Sequence, residues 1–151
     1  MHSLVRRYIK TAIVFLIVGL LIGGWMIVRR EIWQQFPTSW ETSAHTHAIF
    51  VGFVVMMILG VALWLFPRPE QTDRRYRPAL ILAAWWLLTV GTAGRVAGEL
   101  LRSGSATAWL RWGVVVCGML QIAGIGLFFF TIWFRIRAAG STQREAKGER
   151  F

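Results

Sequence analysis

Residues 42–66 read TSAHTHAIFVGFVVMMILGVALWLF. Beyond His47 this run carries no charged residue, and it lacks the period-two alternation of a membrane β-strand. A helix that crosses the hydrocarbon core needs about 20 mostly apolar residues, so the stretch is long enough to span a bilayer. Three more stretches have the same character: Tyr8 to Val28, Pro78 to Leu101 and Ala108 to Phe134. The sequence therefore predicts an all-α integral membrane four-helix bundle.

Composition agrees. The chain is 56% hydrophobic and 16% charged, too little polar surface for a soluble domain of 151 residues. The expected division is a four-helix transmembrane domain over 1–137 and a polar, disordered cytoplasmic tail over 138–151. The first span follows Arg6, Arg7 and Lys10 and ends at Arg29 and Arg30 with no small-residue cleavage site. It is longer than a signal-peptide core of about 7–15 residues, so it is expected to be retained. Cys117 is the single cysteine and lies within the fourth span, which excludes an internal disulfide, a cysteine zinc site and covalent c-type haem attachment.

The formal charge of +10 would suggest nucleic acid in a soluble protein, but its placement excludes that reading. Arg6, Arg7 and Lys10 precede the first span. Arg68, Arg74, Arg75 and Arg77 join the second to the third. Arg135, Arg137, Arg144, Lys147 and Arg150 follow the fourth. These are twelve of the 17 basic residues, all on one side, and the positive-inside rule makes that side cytoplasmic. The expected topology is N-in/C-in in a bacterial-type inner membrane, with the lipid bilayer as the main partner. Trp25, Trp33, Trp40, Trp109 and Trp112 fall near the outer surface, and Trp64 and Trp133 near the inner one, as an aromatic belt. Trp85 and Trp86 lie deeper, placed to pack against something flat.

Polar groups inside the spans are the functional candidates, because they are costly there. His45 and His47 lie one to two turns below the outer surface. Residues two apart on a helix project about 200° from each other, so the pair cannot chelate one metal from a regular helix. They can serve two sites, or one can bind while the other makes a hydrogen bond. Arg95, on the third span, reaches the same depth and needs an anion. Glu99, one turn on, is one candidate and a bound carboxylate ligand is the other. Gly94 and Gly98 permit close approach of a helix or a flat cofactor. Gln121 reads as an interhelical hydrogen-bonding group, and Met56, Met57 and Met119 as packing.

The segment from Ala44 to Gly60, closing in Trp64-Leu65-Phe66-Pro67-Arg68, resembles the tenth helix of the catalytic subunit of haem-copper oxidases. That helix has a His-x-His pair, a Gly-containing apolar run, and a Phe-Pro followed by a basic residue. The resemblance implies that His45 and His47 are haem iron ligands on opposite faces and that Arg95 lies at the level of residues that bind haem propionates. It covers the second span and, loosely, the third. The family subunit has many more helices than four, and the other membrane histidines that hold its copper ion and second haem axial position are absent, since His2 precedes the first span. Reduction of dioxygen to water by this chain alone is therefore not expected.

The expectation is a b-type haem (iron) protein for electron transfer or diatomic gas binding near the outer surface. One chain gives one histidine to each flank, so a bis-histidine haem needs a homo-oligomer or the subunits of a respiratory complex. The alternatives are a cofactor-free accessory or assembly subunit and a copper-handling membrane protein. No catalytic residue is identified. The topology predicts that an alkaline phosphatase fused after Phe151 is inactive in a bacterial host; an active fusion would invert the orientation.

Overall fold

The computed structural model describes residues 2–66, 77–105, 107–136 and 148. Four helices run antiparallel: α1 (His2–Glu31), α2 (Ser39–Leu65), α3 (Pro78–Arg102) and α4 (Ala108–Ile132), the last continuing into a 3-10 turn at Trp133–Arg135. All four are long and apolar enough to cross a membrane. The expected all-α, multi-pass architecture is thus observed. The four Arg-rich residues expected at 68–77 lie outside the described residues except for Arg77, and so does the 138–151 tail except for Gly148.

Local chemistry sets the helix ends. Thr38-Ser39-Trp40-Glu41 forms a capping box. The Glu41 amide donates to Thr38 Oγ1 (3.2 Å) while the Thr38 amide donates to Glu41 Oε2 (2.7 Å). Arg29, in the last turn of α1, pairs with the same carboxylate, so one acidic residue fixes the α1–α2 turn. Pro78 opens α3 at a position where its missing N–H costs nothing. Within α2, residues His47–Val55 adopt π-helical hydrogen bonding between α-helical flanks Ser39–Thr46 and Met56–Leu65. Wide turns of this kind are rare and cluster at functional sites.

Two close-packed seams build the bundle. In α1–α2, Gly52 gives its face to Phe15, and Gly60 lies against Tyr8 and Ile9. In α3–α4, Gly91 lies so near α4 that a Cβ there would stand 2.8 Å from the Cys117 carbonyl and 3.0 Å from the Gln121 amide. Gly94 and Gly98 likewise face Cys117 and Val114. These glycines therefore serve contact within the chain, and of the two partners that the sequence allowed for Gly94 and Gly98, a helix or a flat cofactor, the one in contact is a helix, α4.

The core has two layers. Nearer the chain ends, Tyr8, Met56, Leu59, Leu63, Ile81, Leu88 and Phe128 bring all four helices together. Nearer the α1–α2 and α3–α4 turns, a smaller layer of Ile22, Ala44, Ala48 and Val96 joins only α1, α2 and α3. There α2 and α4 make no extended contact, and each packs on α3. Trp85 donates to Thr11 (3.1 Å), with the Arg7 guanidinium 5.7 Å from its ring centre and Trp86 edge-on beside it, which accounts for its depth. Outward-facing Val14, Ile17, Leu21, Ile58, Val90, Val116 and Ile122 are more than 40% exposed, a surface that lipid tails cover.

The seam gives a paired expectation. Gly91→Ala should destabilise the bundle by about 1–3 kcal/mol through overpacking against α4 backbone. Gly126→Ala, where a Cβ meets nothing within 4 Å, should be neutral or add about 0.5–1 kcal/mol. Unfolding in detergent, followed by circular dichroism, separates the two.

Candidate functional site

Of the polar groups singled out in the spans, His45, His47, Arg95 and Glu99 lie in the half of the bundle nearer the turns, and Gln121 at the middle of α4. His45 and His47 diverge as the helix geometry requires: His45 faces α1, and His47 faces α3.

His45 Nδ1 stands 2.9 Å from the Gly19 carbonyl. A carbonyl only accepts, so Nδ1 carries the proton and the lone pair lies on Nε2. The ring is seated on Gly23, where a Cβ would come within 2.8 Å of its Cε1. Beside it a cleft of about 450 Å³ runs along α1, floored by Gly23 and Gly24 and walled by Leu20, Met26, Ile27 and Pro37, with Arg30 on its lining. Arg30 is surface-paired with Glu31 (2.6 Å).

His47 shows the same orientation on the other flank. Its Nδ1 donates to the Ser43 carbonyl one turn back (2.8 Å), again leaving the lone pair on Nε2. Glu99 approaches the same Nδ1 at 3.3 Å, but that proton is directed to the carbonyl, so Glu99 Oε2 receives no aligned hydrogen bond. The other carboxylate oxygen, Oε1, accepts from Ser43 Oγ (2.9 Å) and Arg95 Nε (3.0 Å). Glu99 is 1% exposed. A carboxylate at that burial persists only with a cation and donors around it.

Arg95 therefore meets Glu99, one of the two anions considered for it. Its Nη1 continues to Gln121 Oε1 on α4 (3.3 Å), and Gln121 Nε2 donates to Thr92 Oγ1 on α3 (3.1 Å). Gly118 leaves room for the guanidinium, since a Cβ there would lie 3.2 Å from Nη1. Ser43, His47, Glu99, Arg95, Gln121 and Thr92 thus form one network across α2, α3 and α4. Gln121 has the interhelical role its type suggested. Ser43 and Thr92 were not singled out from sequence, although Ser43 precedes His47 by one helical turn, the spacing that brings their side chains together. The Gly23–Gly24 floor depends on how α1 meets α2, which no local pattern encodes.

Among the described residues, no group of three or more His, Cys, Asp or Glu side chains converges as a metal cage. A metal carried by a macrocycle needs only one axial side chain, and both histidines present the oriented imidazole that suits that role.

The fold is that of a multi-pass membrane bundle whose two span histidines face different helices. The chain belongs to the family described as a domain of unknown function (DUF8744), which matches residues 2–136. Comparison with curated proteins and with solved structures gave no match.

The ion pair can be tested directly. Arg95→Leu should cost about 3–5 kcal/mol, because it strands a buried carboxylate. Adding Glu99→Gln should recover a large part of that loss. Unfolding in detergent for the two single variants and the double variant gives the coupling, and additive losses would mean that the two side chains do not act as a pair.

Proposed function

We propose that this protein binds a b-type haem in the membrane, with His45 as an axial ligand. The carrying observation is the state of the His45 ring. Its Nδ1 proton is held by the Gly19 carbonyl, its Nε2 lone pair is left for a metal, and it lines an apolar, glycine-floored cleft. An imidazole whose second nitrogen donates to a backbone carbonyl is the usual form of a metal-ligating histidine. Arg30, on the cleft lining and paired at the surface with Glu31, offers a cation to a propionate from the same side as His45, whereas Arg95 stands with Glu99 and Gln121 on the other flank.

A bound haem supplies one-electron redox chemistry or, with one axial position open, diatomic gas binding. The chain's own residues orient the imidazole, cover one apolar face and provide the cation. His45 lines a cleft set on one flank of the bundle. A homo-oligomer in which two such clefts face each other would cover the second haem face and supply the second histidine. The alternative partner is another subunit of a respiratory membrane complex. The distribution of arginines supports N-in/C-in in a bacterial-type inner membrane, which sets this cleft near the outer surface.

The test is the visible spectrum of protein purified from cells supplied with haem. The expected wild-type spectrum has a Soret band and reducible α and β bands. His45→Ala should lose most of the haem, while His47→Ala, on the opposite flank, should keep it. A colourless wild type, or a His45→Ala protein with an unchanged spectrum, would overturn the haem reading and favour an accessory subunit; metal analysis then tests copper handling.

A further inference from the structure

The second histidine lies in a different setting, separate from the His45 cleft. His47 and Arg95 side chains are 21% and 29% exposed, although both lie inside the membrane-spanning segments. The buried layer beside them draws on α1, α2 and α3 alone, and both side chains reach the surface of the face that α2, α3 and α4 share. Arg102 ends α3 seven residues beyond Arg95, which sets Arg95 about 10 Å below the helix end.

The hydrogen-bonding capacity of this face is only partly used. His47 Nδ1 is committed to Ser43, and its Nε2, an acceptor, has no partner among the described residues. Arg95 has five N–H donors, of which Nε serves Glu99 and Nη1 serves Gln121. Behind them Glu99 Oε2 is fully buried without a donor. An acceptor and a cationic donor side by side, at membrane depth, suit a headgroup that offers one O–H and one oxygen lone pair. The charges limit the ligand further. Arg95 and Glu99 cancel, and the other charged group on this end of α3, Arg102, is turned onto the Trp40 ring at 3.8 Å. From α1 the layer presents Ile22 and Met26, and from α4 the uncharged Gln121 and Cys117. With the Arg95–Glu99 pair neutral overall and Arg102 held on Trp40 about one helix turn or more away, the face favours an uncharged ligand, for which burial at that depth is also cheapest.

We propose that the α2–α3–α4 face binds a membrane-dissolved, uncharged, hydroxylated amphiphile. Its O–H donates to His47 Nε2, and its oxygen accepts from Arg95. Glu99 and Ser43 are positioning residues, because they set the guanidinium and the imidazole tautomer without touching the ligand. Two sources share this chemistry: a hydroquinone with an apolar tail, and the glycerol head of a neutral lipid.

The experiment uses the full-length protein in nanodiscs, without added haem, and measures saturable binding above empty discs. The probes are a short-tailed hydroquinone, its dimethyl ether and a monoacylglycerol. The ether keeps the ring, tail and oxygens but lacks the O–H donor. The hydroquinone should bind saturably and the ether at least about tenfold more weakly, because the ether leaves the acceptor unpaired. His47→Ala and Arg95→Gln should each weaken hydroquinone binding by a similar factor. The ether comparison needs no substitution, so it stands even where a variant fails to fold. Monoacylglycerol that binds more tightly and displaces the hydroquinone assigns the site to a lipid head and supports the proposal; weak displacement assigns it to the hydroquinone. Equal affinity for ether and hydroquinone, or no saturable binding of either hydroxylated probe, overturns it. Haem content reads the other site, so the two results are independent.

Discussion

Hydrocarbon offers no hydrogen bonds, so every polar group that enters it must find its partner inside the protein. That constraint orders this bundle. Lipid tails are as apolar as leucine, so burial alone gives the helices little reason to associate. Association rests on close packing at glycines and on polar ties between helices. His45 ties α2 to the Gly19 carbonyl of α1. Tyr8, whose hydroxyl donates to the Ile81 carbonyl at 3.1 Å, and Trp85, which donates to Thr11, tie α1 and α3. Ser43 ties α2 to α3, and Arg95 and Gln121 tie α3 to α4. Each adjacent pair thus has a polar register mark on top of its apolar contact. Glu99 has the largest share, because its carboxylate is the point where the α2 and α3–α4 ties meet.

The fold was legible because membrane helices announce themselves by length. The four apolar runs and the four helices agree to within a few residues, apart from α1, which begins near His2 where the apolar run begins at Tyr8. The reason is packing: Val5 and Tyr8 are buried against the core, so the helix continues through Arg6 and Arg7, which are good helix formers. The π-helical stretch at His47–Val55 was not legible, since its residues, HAIFVGFVV, carry no pattern that separates it from the α-helix on either side. Glu41 falls just before the apolar run 42–66, yet Thr38-x-x-Glu41 is a capping box and Glu41 belongs to the helix.

The site was legible in kind and less so in connection. A pair of histidines two apart on a helix must diverge, and they do. An arginine with a glutamate four residues later must be weighed as a pair, and they are one. The sequence did not tell which flank faces another helix and which faces an opening, because that depends on how α1, α3 and α4 are arranged around α2. Gly94 and Gly98 illustrate the limit: the spacing marks a close approach, and only the fold identifies α4 as what approaches.

The divergence of His45 and His47 has a structural consequence that neither residue has alone. Both rings are fixed through Nδ1 to backbone carbonyls, so both leave the same atom, Nε2, uncommitted to the backbone. What differs is the surroundings. His45 lies against glycines and apolar side chains, with a cation on the lining, and such a wall suits a large flat group. His47 lies against a charge-compensated Arg–Glu pair, which suits a small polar head. One turn of α2 therefore presents identical chemistry to two unlike environments. Both rings stand at the start of the same helix, and the Ser43–Glu99 bond ties that end of α2 to α3, so the two settings are fixed by one set of helix contacts.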